Sequence, residues 1–446
     1  MVLRWPLRRS TPRSLWRGAV RLVDPRRRTI WLLLFVCGLA FRVYAVLVLR
    51  NPMDMLFSDP LRHWDNAEHF TTPSIQGASN PYLYQLYLFV VQRITHEDRT
   101  GIAVVTAALS VSYPLLWHRF ARCVFFYRLN ALRFATLLCW LPSHISFFGF
   151  FMNETLLLPL LGAALWFTCR TLRDRTPRSF VVAAVAWTLG VLTRSVVGPV
   201  GLACVAVSWW RLRRRRWLAL AAAGAISLTF VAAASIRAHQ FLKRYTPFGD
   251  NAVVAIYFVS GAASYTMDVA DGTYWAFSSP SLFLSPFYPF YEFPSIREGD
   301  VSFTLDPERH GEDIQETLRR VAKQNRSKLP RLLYENFVFL SFGHSWPAAG
   351  ATEDLADRIC IKERWIWAPL VLISLIGCIV HIVRRGFSFV PMLTLGFIFT
   401  CYVLAQITIM EGRYRKPLEP IVLLAPIWLW DARCSQPPRK ARVNRV

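Results

Sequence analysis

Ten apolar stretches, several close to the roughly 20 residues that cross a bilayer as a helix, dominate the chain and leave it few folds to choose from. They lie at about 30–49, 102–117, 134–152, 155–169, 179–194, 196–210, 217–236, 366–383, 387–406 and 417–430. The pattern predicts an all-α polytopic membrane protein of about ten transmembrane helices with two large outer loops. With 54% hydrophobic residues, the 446-residue chain does not have the composition of a soluble enzyme.

Charge sets the orientation. Nine Arg and one acid precede the first apolar stretch, so the positive-inside rule puts the N-terminus in the cytoplasm. Every second loop should then be basic, and it is: Arg119, Arg122, Arg128 and Arg133; Arg170, Arg173, Arg175 and Arg178; Arg211 and the 213–216 run; Arg384 and Arg385; and the C-terminal tail. These segments hold 29 of the 52 basic residues but only three acids, Asp24, Asp174 and Asp431, so the net charge of +24 belongs to the inner face. Anionic headgroups account for it, and nucleic acid is not an expected partner. The first apolar run has span length with no small-residue cleavage site after it, so it is expected to remain as an anchor. The excess of Arg over Lys points to a GC-rich bacterial source, hence to the inner membrane with the outer loops in the periplasm. Of nine Cys, only Cys360 falls in an outer loop, which leaves no disulfide framework.

The chain divides into a basic tail (1–29), a seven-helix catalytic module (30–236) that contains the outer loop 50–101, a large outer loop (237–365), three C-terminal spans (366–430) and a second basic tail (431–446). In the first loop, 60–70 and 82–94 read as short helices. Asp59 is placed to cap the former ahead of Pro60. In the second loop, 245–295 is rich in Tyr, Phe, Pro and Ser and reads as packed irregular backbone, 308–328 as an exposed helix, and 332–342 as an interfacial or re-entrant apolar helix.

Ionisable groups at the outer ends of spans persist near hydrocarbon only with a partner or a purpose. Three clusters qualify: 58–69, with Asp59 and Asp65; 152–155, with Glu154; and 411–417, with Arg413 and Arg415. Arg194, in the turn between the fifth and sixth spans, is a possible fourth contributor. Bland readings stand beside each. Asp59 can be simply a helix cap, Glu154 suits a helix N-terminus in any protein, and the arginines can be snorkelling anchors, although this chain otherwise keeps concentrated positive charge off its outer side.

The order of these motifs resembles the GT-C superfamily of polyprenyl-linked-sugar glycosyltransferases, the group with the protein O-mannosyltransferases, the lipid A aminoarabinose transferases and the lipopolysaccharide-core galacturonosyltransferases. The resemblance rests on Asp59 followed by His63 or Trp64 and Ala67, on Asn153-Glu154 after the third span, and on the Arg-Tyr-Arg-x-Pro-x-x-Pro stretch at 413–420. It implies a transfer from a polyprenyl-phosphate sugar to a glycan, lipid or protein acceptor, with inversion at the anomeric carbon. Asp59 would be general base, with Asp65 as rival. Glu154 would orient the acceptor or share a divalent metal with Asp59, the one cofactor left open. Arg413, Arg415 and Arg194 would hold the donor phosphate. Acid pairs that some relatives carry in the first loop are Asp59-Pro60 here. A transporter or flippase of a lipid-linked sugar is the competing class, and a non-catalytic envelope scaffold a third.

Overall fold

The computed structural model describes residues 25–242 except 57, 74–76, 79 and 213–214, and beyond them 245–247, 259–262, 264–269, 274–278, 299–305, 310–343, 359, 362–406 and 412–434. All ten apolar stretches are largely helical. In chain order the front module comprises α1 (Pro25–Tyr44, continued by a π turn, Ala45–Leu49), α2 (Ser58–Glu68), α3 (Tyr82–Thr95), α4 (Arg99–Val124), α5 (Arg128–Trp140), α6 (Pro142–Ser146), α7 (Asn153–Asp174), α8 (Pro177–Thr193), α9 (Gly198–Arg211) and α10 (Arg216–Leu242). The back end has α11 (His310–Gln324), α12 (Leu329–Phe342), α13 (Arg364–Arg385), α14 (Phe389–Ala405) and α15 (Glu419–Cys434).

Among the described residues, five helices are long and apolar enough to cross a membrane, or six if α5 and the bent segment after it count as one span. α8, the 195–211 helix that contains α9, and α14 are shorter apolar helices. Large apolar side chains project outward from these rods, among them Leu33, Leu202, Leu228, Ile373 and Val383. That distribution suits a membrane protein, whose surface meets hydrocarbon rather than water.

Packing joins front and back into one body. A single buried cluster runs from Tyr113, Trp117 and Phe134 through Leu157 and Leu161 to Phe397, Ile421 and Leu424. Trp117 lies flush on α7 because position 162 is glycine, where a Cβ would come within 2.7 Å of the indole. The indole N–H then donates to the Leu158 carbonyl at 3.0 Å. At the other end of the bundle, buried Asp431 of α15 accepts from the backbone N–H groups of Phe126 and Tyr127 and from Asn130 Nδ2 at 2.5, 3.2 and 2.7 Å. The 125–130 turn and the end of α15, both read from their charge as inner-side segments, therefore share one end of the molecule.

The two expected first-loop helices are present, but α2 starts at Ser58, so Asp59 lies in its first turn rather than ahead of it. The exposed helix expected at 308–328 is α11. Irregular backbone was the expectation for 245–295, whereas the backbone there includes β1 (Ser264–Val269) and β2 (Tyr274–Ser278), paired antiparallel, with β3 (Asp300–Leu305) parallel on the other side of β1. Alternation of aromatic and small residues over Trp275, Ala276, Phe277 and Ser278 is the period-2 signal that a reading based on composition passes over. α12 packs one face into the core: Glu335 and Asn336 are fully buried, and Asn336 Nδ2 donates to the Ala405 carbonyl of α14 at 3.1 Å.

Candidate active site

The site is built on a break in a span. α5 stops at Trp140 because Leu141 precedes a proline and takes an extended conformation. The chain then turns by 63° into 142–149. From Ser143 to Thr155 every residue is buried, so the break carries Ser143, His144, Ser146, Asn153 and Glu154 inside the protein. Each buried polar group there must find a partner.

Glu154 finds Arg194. Its fully buried carboxylate forms an ion pair with the Arg194 guanidinium, and the first turn of α7 favours a negative charge at that point. Arg194 ends α8 in an extended conformation, and its guanidinium also stacks over the ring of Tyr414, with the carbon 4.2 Å from the ring centre. This is a cation–π contact. Tyr414 belongs to a 3₁₀ helix, Gly412–Leu418, that opens α15. Two of the sequence-predicted positions and the 413–420 motif thus meet at one place.

A second cluster lies on the Ser143 side of the break. Glu419 receives Lys416 Nζ at 3.1 Å, Arg415 Nε at 3.2 Å and His144 Nε2 at 2.9 Å. The opposite imidazole nitrogen of His144 is 2.7 Å from the Tyr113 hydroxyl. A neutral His144 that carries its proton on Nε2 would donate to Glu419 and accept from Tyr113. Ser143 is bonded to Lys416 and through both its N–H and its hydroxyl to Glu363, at 2.8 and 2.5 Å. Burial pushes the Glu363 carboxyl above its ordinary value, against the pull of Lys416 and of the Ser143 hydrogen bonds. Arg42 of α1 closes the cluster from below, donating to the carbonyls of Leu138 and His144 and to Ser110 Oγ. Arg50 bonds Ser146 Oγ and lies 5.1 Å over the Phe150 ring.

Arg415 does not present its charge to a ligand. It is fully buried, and besides Glu419 its guanidinium donates to the carbonyls of Phe339, Leu340 and Gly343 at the end of α12. The Phe339 carbonyl also accepts from the Gly343 N–H at 2.9 Å, and Trp367 lies 4.9 Å beneath the cation. The side chain of Arg413 lies outside the described residues.

In the first loop, α2 is seated by Trp64, stacked on Phe151 at 4.8 Å, by fully buried Ala67, and by His63, which pairs with Gln85 of α3 at 3.1 Å. Phe151 is three residues before Glu154, so α2 lies against the segment that delivers the buried acid. Asp59, half-buried at the start of α2, pairs with Arg62 at 2.8 Å. Asp65 points to the exposed face. Partial burial and then Glu68 raise its carboxyl above the ordinary value, with His69 opposing.

Asp59 and Glu154 each face a guanidinium, and among the described residues no group of three or more His, Cys, Asp or Glu is arranged to hold a metal ion. The donor set at the two acids does not fit a dedicated divalent site. Sequence reasoning missed His144, Glu363, Arg42 and Arg50, and gave Lys416 and Glu419 no role of their own within the 411–420 stretch. Arg42, within an apolar stretch, and Lys416 with Glu419, three apart at a span end, carried the available signal, since such charges are costly in a membrane.

Residues 79–236 match the family model of dolichyl-phosphate-mannose-protein mannosyltransferases. The match supports the GT-C superfamily for this part of the chain. It takes in Glu154 and Arg194 and leaves Asp59 and the 413–420 stretch outside. Neither a curated protein nor a solved structure matches the chain.

Proposed function

We propose that the chain is a ten-span glycosyltransferase of a bacterial inner membrane, which moves a sugar from a polyprenyl phosphate to an acceptor hydroxyl on the periplasmic face. The Glu154, Arg194 and Tyr414 cluster carries this reading: a cation fixed between a buried acid and an aromatic face, at the end of the bundle opposite the basic loops. It is supported by the family match over 79–236 and by the seating of α2 against the same segment.

In the proposed reaction the acceptor oxygen attacks the anomeric carbon, its proton passes to Asp59, and the bond from that carbon to the phosphate oxygen breaks. The lipid phosphate leaves with the electron pair, and inversion follows from the single displacement. Arg194 would take the growing phosphate charge, with Arg413 as a second cation. Glu154 would hold Arg194 in place. Asp59 is preferred to Asp65 as base because it is half-buried in the first turn of α2, whereas Asp65 lies on the exposed face. Arg415, spent on α12, is assigned to the fold. The matched family's description makes a mannosyl lipid the first donor to try.

The test is transfer from radiolabelled polyprenyl-phosphate sugar in proteoliposomes. Asp59→Asn should reduce product by about 10²-fold or more with the fold retained, as should Arg194→Gln in a Glu154→Gln background, where no buried charge is left unpaired, and undiminished turnover in either protein removes Asp59 or Arg194 from the mechanism. Lipid that crosses the bilayer without any glycoside product would instead identify a flippase.

A further inference from the structure

A cavity of about 340 Å³ lies between α7, α9 and α14, well away from the cluster described above. Its volume is within the roughly 300–1,000 Å³ of small-molecule sites. Thr168 and Leu172 of α7, Val200 and Cys204 of α9, and Phe389 and Phe399 of α14 are among the residues that line it. Thr168 lies 14 residues beyond Glu154 on one helix, about 20 Å along the axis. The Thr168 hydroxyl already accepts from the Trp187 indole at 3.1 Å, so the wall offers a ligand little but hydrocarbon. Phe399 is 54% exposed and Leu202, on α9, is 73% exposed, so the mouth opens among apolar side chains rather than to water.

One end of the cavity is different. Among the described residues, Arg211, the last of α9, is its single charged lining residue. The neighbouring chain ends are basic in sequence as well: Arg215 and Arg216 follow Arg211, Arg384 and Arg385 precede Phe389, and Arg173, paired with Asp174 at 2.7 Å, follows Leu172. An apolar slot that opens to lipid and ends at a guanidinium group among basic chain ends has the complementarity of an amphiphile with a negative head.

We infer that this cavity holds an acyl chain of one anionic phospholipid, with its headgroup at Arg211 on the inner face. A donor lipid with its phosphate at Arg194 would present its head at the opposite end of α7, and its tail would gain nothing from the basic belt. The inference goes beyond the transferase reading and stands if that reading fails.

The test is native mass spectrometry of the delipidated full-length protein titrated with phosphatidylglycerol, phosphatidylcholine and polyprenyl phosphate. One phosphatidylglycerol should be retained per chain, about tenfold more tightly than phosphatidylcholine. Arg211→Gln should erase that preference. Ala203→Phe and Gly396→Leu should abolish retention by filling the slot. Position 396 has room for a side chain, with Val200 as its nearest contact at 3.5 Å. A phosphatidylglycerol with a diazirine on its acyl chain should label peptides of α9 or α14. Equal retention of the two phospholipids, retention indifferent to both filling variants, polyprenyl phosphate whose retention the filling variants abolish, or label confined to other helices each overturns the proposal. If the filling variants do not fold, Arg211→Gln and the labelled peptides decide it.

Discussion

Arg194 is gripped on two sides, by the Glu154 carboxylate and by the face of Tyr414, and the two grips separate stability from function. Removal of one charge from a buried pair leaves the other uncompensated, at a cost of about 3–5 kcal/mol. Glu154→Gln should therefore lower thermal stability in detergent, whereas Glu154→Gln combined with Arg194→Gln should recover most of it and still lack transferase activity. A double variant as unstable as the single one would show that the pair is not the source of the loss. Arg194→Lys keeps the charge but not the planar stack, so it should fold and fall between wild type and Arg194→Ala in transfer rate. Glu363 supplies a pH signature. Its carboxyl is held above the ordinary value of 4.5, first by burial. The folded state then binds this proton more tightly than the unfolded one, and stability declines as pH rises from about 4.5 through the raised folded value. Glu363→Gln should flatten that part of a melting-temperature profile taken between about pH 4 and 7. Equal slopes in both proteins would rule Glu363 out as its origin.

Two close approaches between elements position the site. Gly162 lets Trp117 of α4 lie on α7, and α7 in turn presents Glu154 from its first turn. Gly162→Ala forces the indole to move and should cost about 1–3 kcal/mol, read as a lower melting temperature. Where Gly149 passes the stem of Arg50, a Cβ would overlap that side chain, so Gly149→Ala should displace Arg50 from Ser146. The break at Leu141-Pro142 explains why a stretch that reads as one apolar run, 134–152, is a helix followed by a sharp turn. Proline is visible in the sequence, but the burial of the whole 143–155 segment depends on α4, α13 and α15 closing around it. The 3₁₀ helix at 412–418 behaves alike: its motif is legible, yet Arg415 and Tyr414, one residue apart, serve different partners because α12 lies on one side and Arg194 on the other.

At the scale of the molecule, sidedness is the prediction that matters most. In a cysteine-free background, Glu97→Cys should react with a membrane-impermeant thiol reagent applied from the periplasmic side, and Arg175→Cys only after the membrane is opened. The reverse pattern would place the Glu154 cluster inside the cell. Helical spans, their alternating basic loops and the short helices α2 and α3 could be read from the sequence, because a bilayer enforces length and polarity locally, residue by residue. Local rules also brought out Asp59, Glu154 and Arg194 as charges near hydrocarbon. Which charges meet is a different matter. Glu154 with Arg194 spans 40 positions, and His144 with Glu419 spans 275; nothing in either local segment specifies its partner. The strands at 264–305 likewise depend on pairing between distant backbones. The sequence by itself determined a membrane-embedded helical chain, its charge asymmetry and a short set of suspicious polar residues. Tertiary packing alone decided that Arg194 is held by an acid and an aromatic ring while Arg415 is consumed by helix carbonyls, since the partner of a buried charge is fixed by whichever helices close around it.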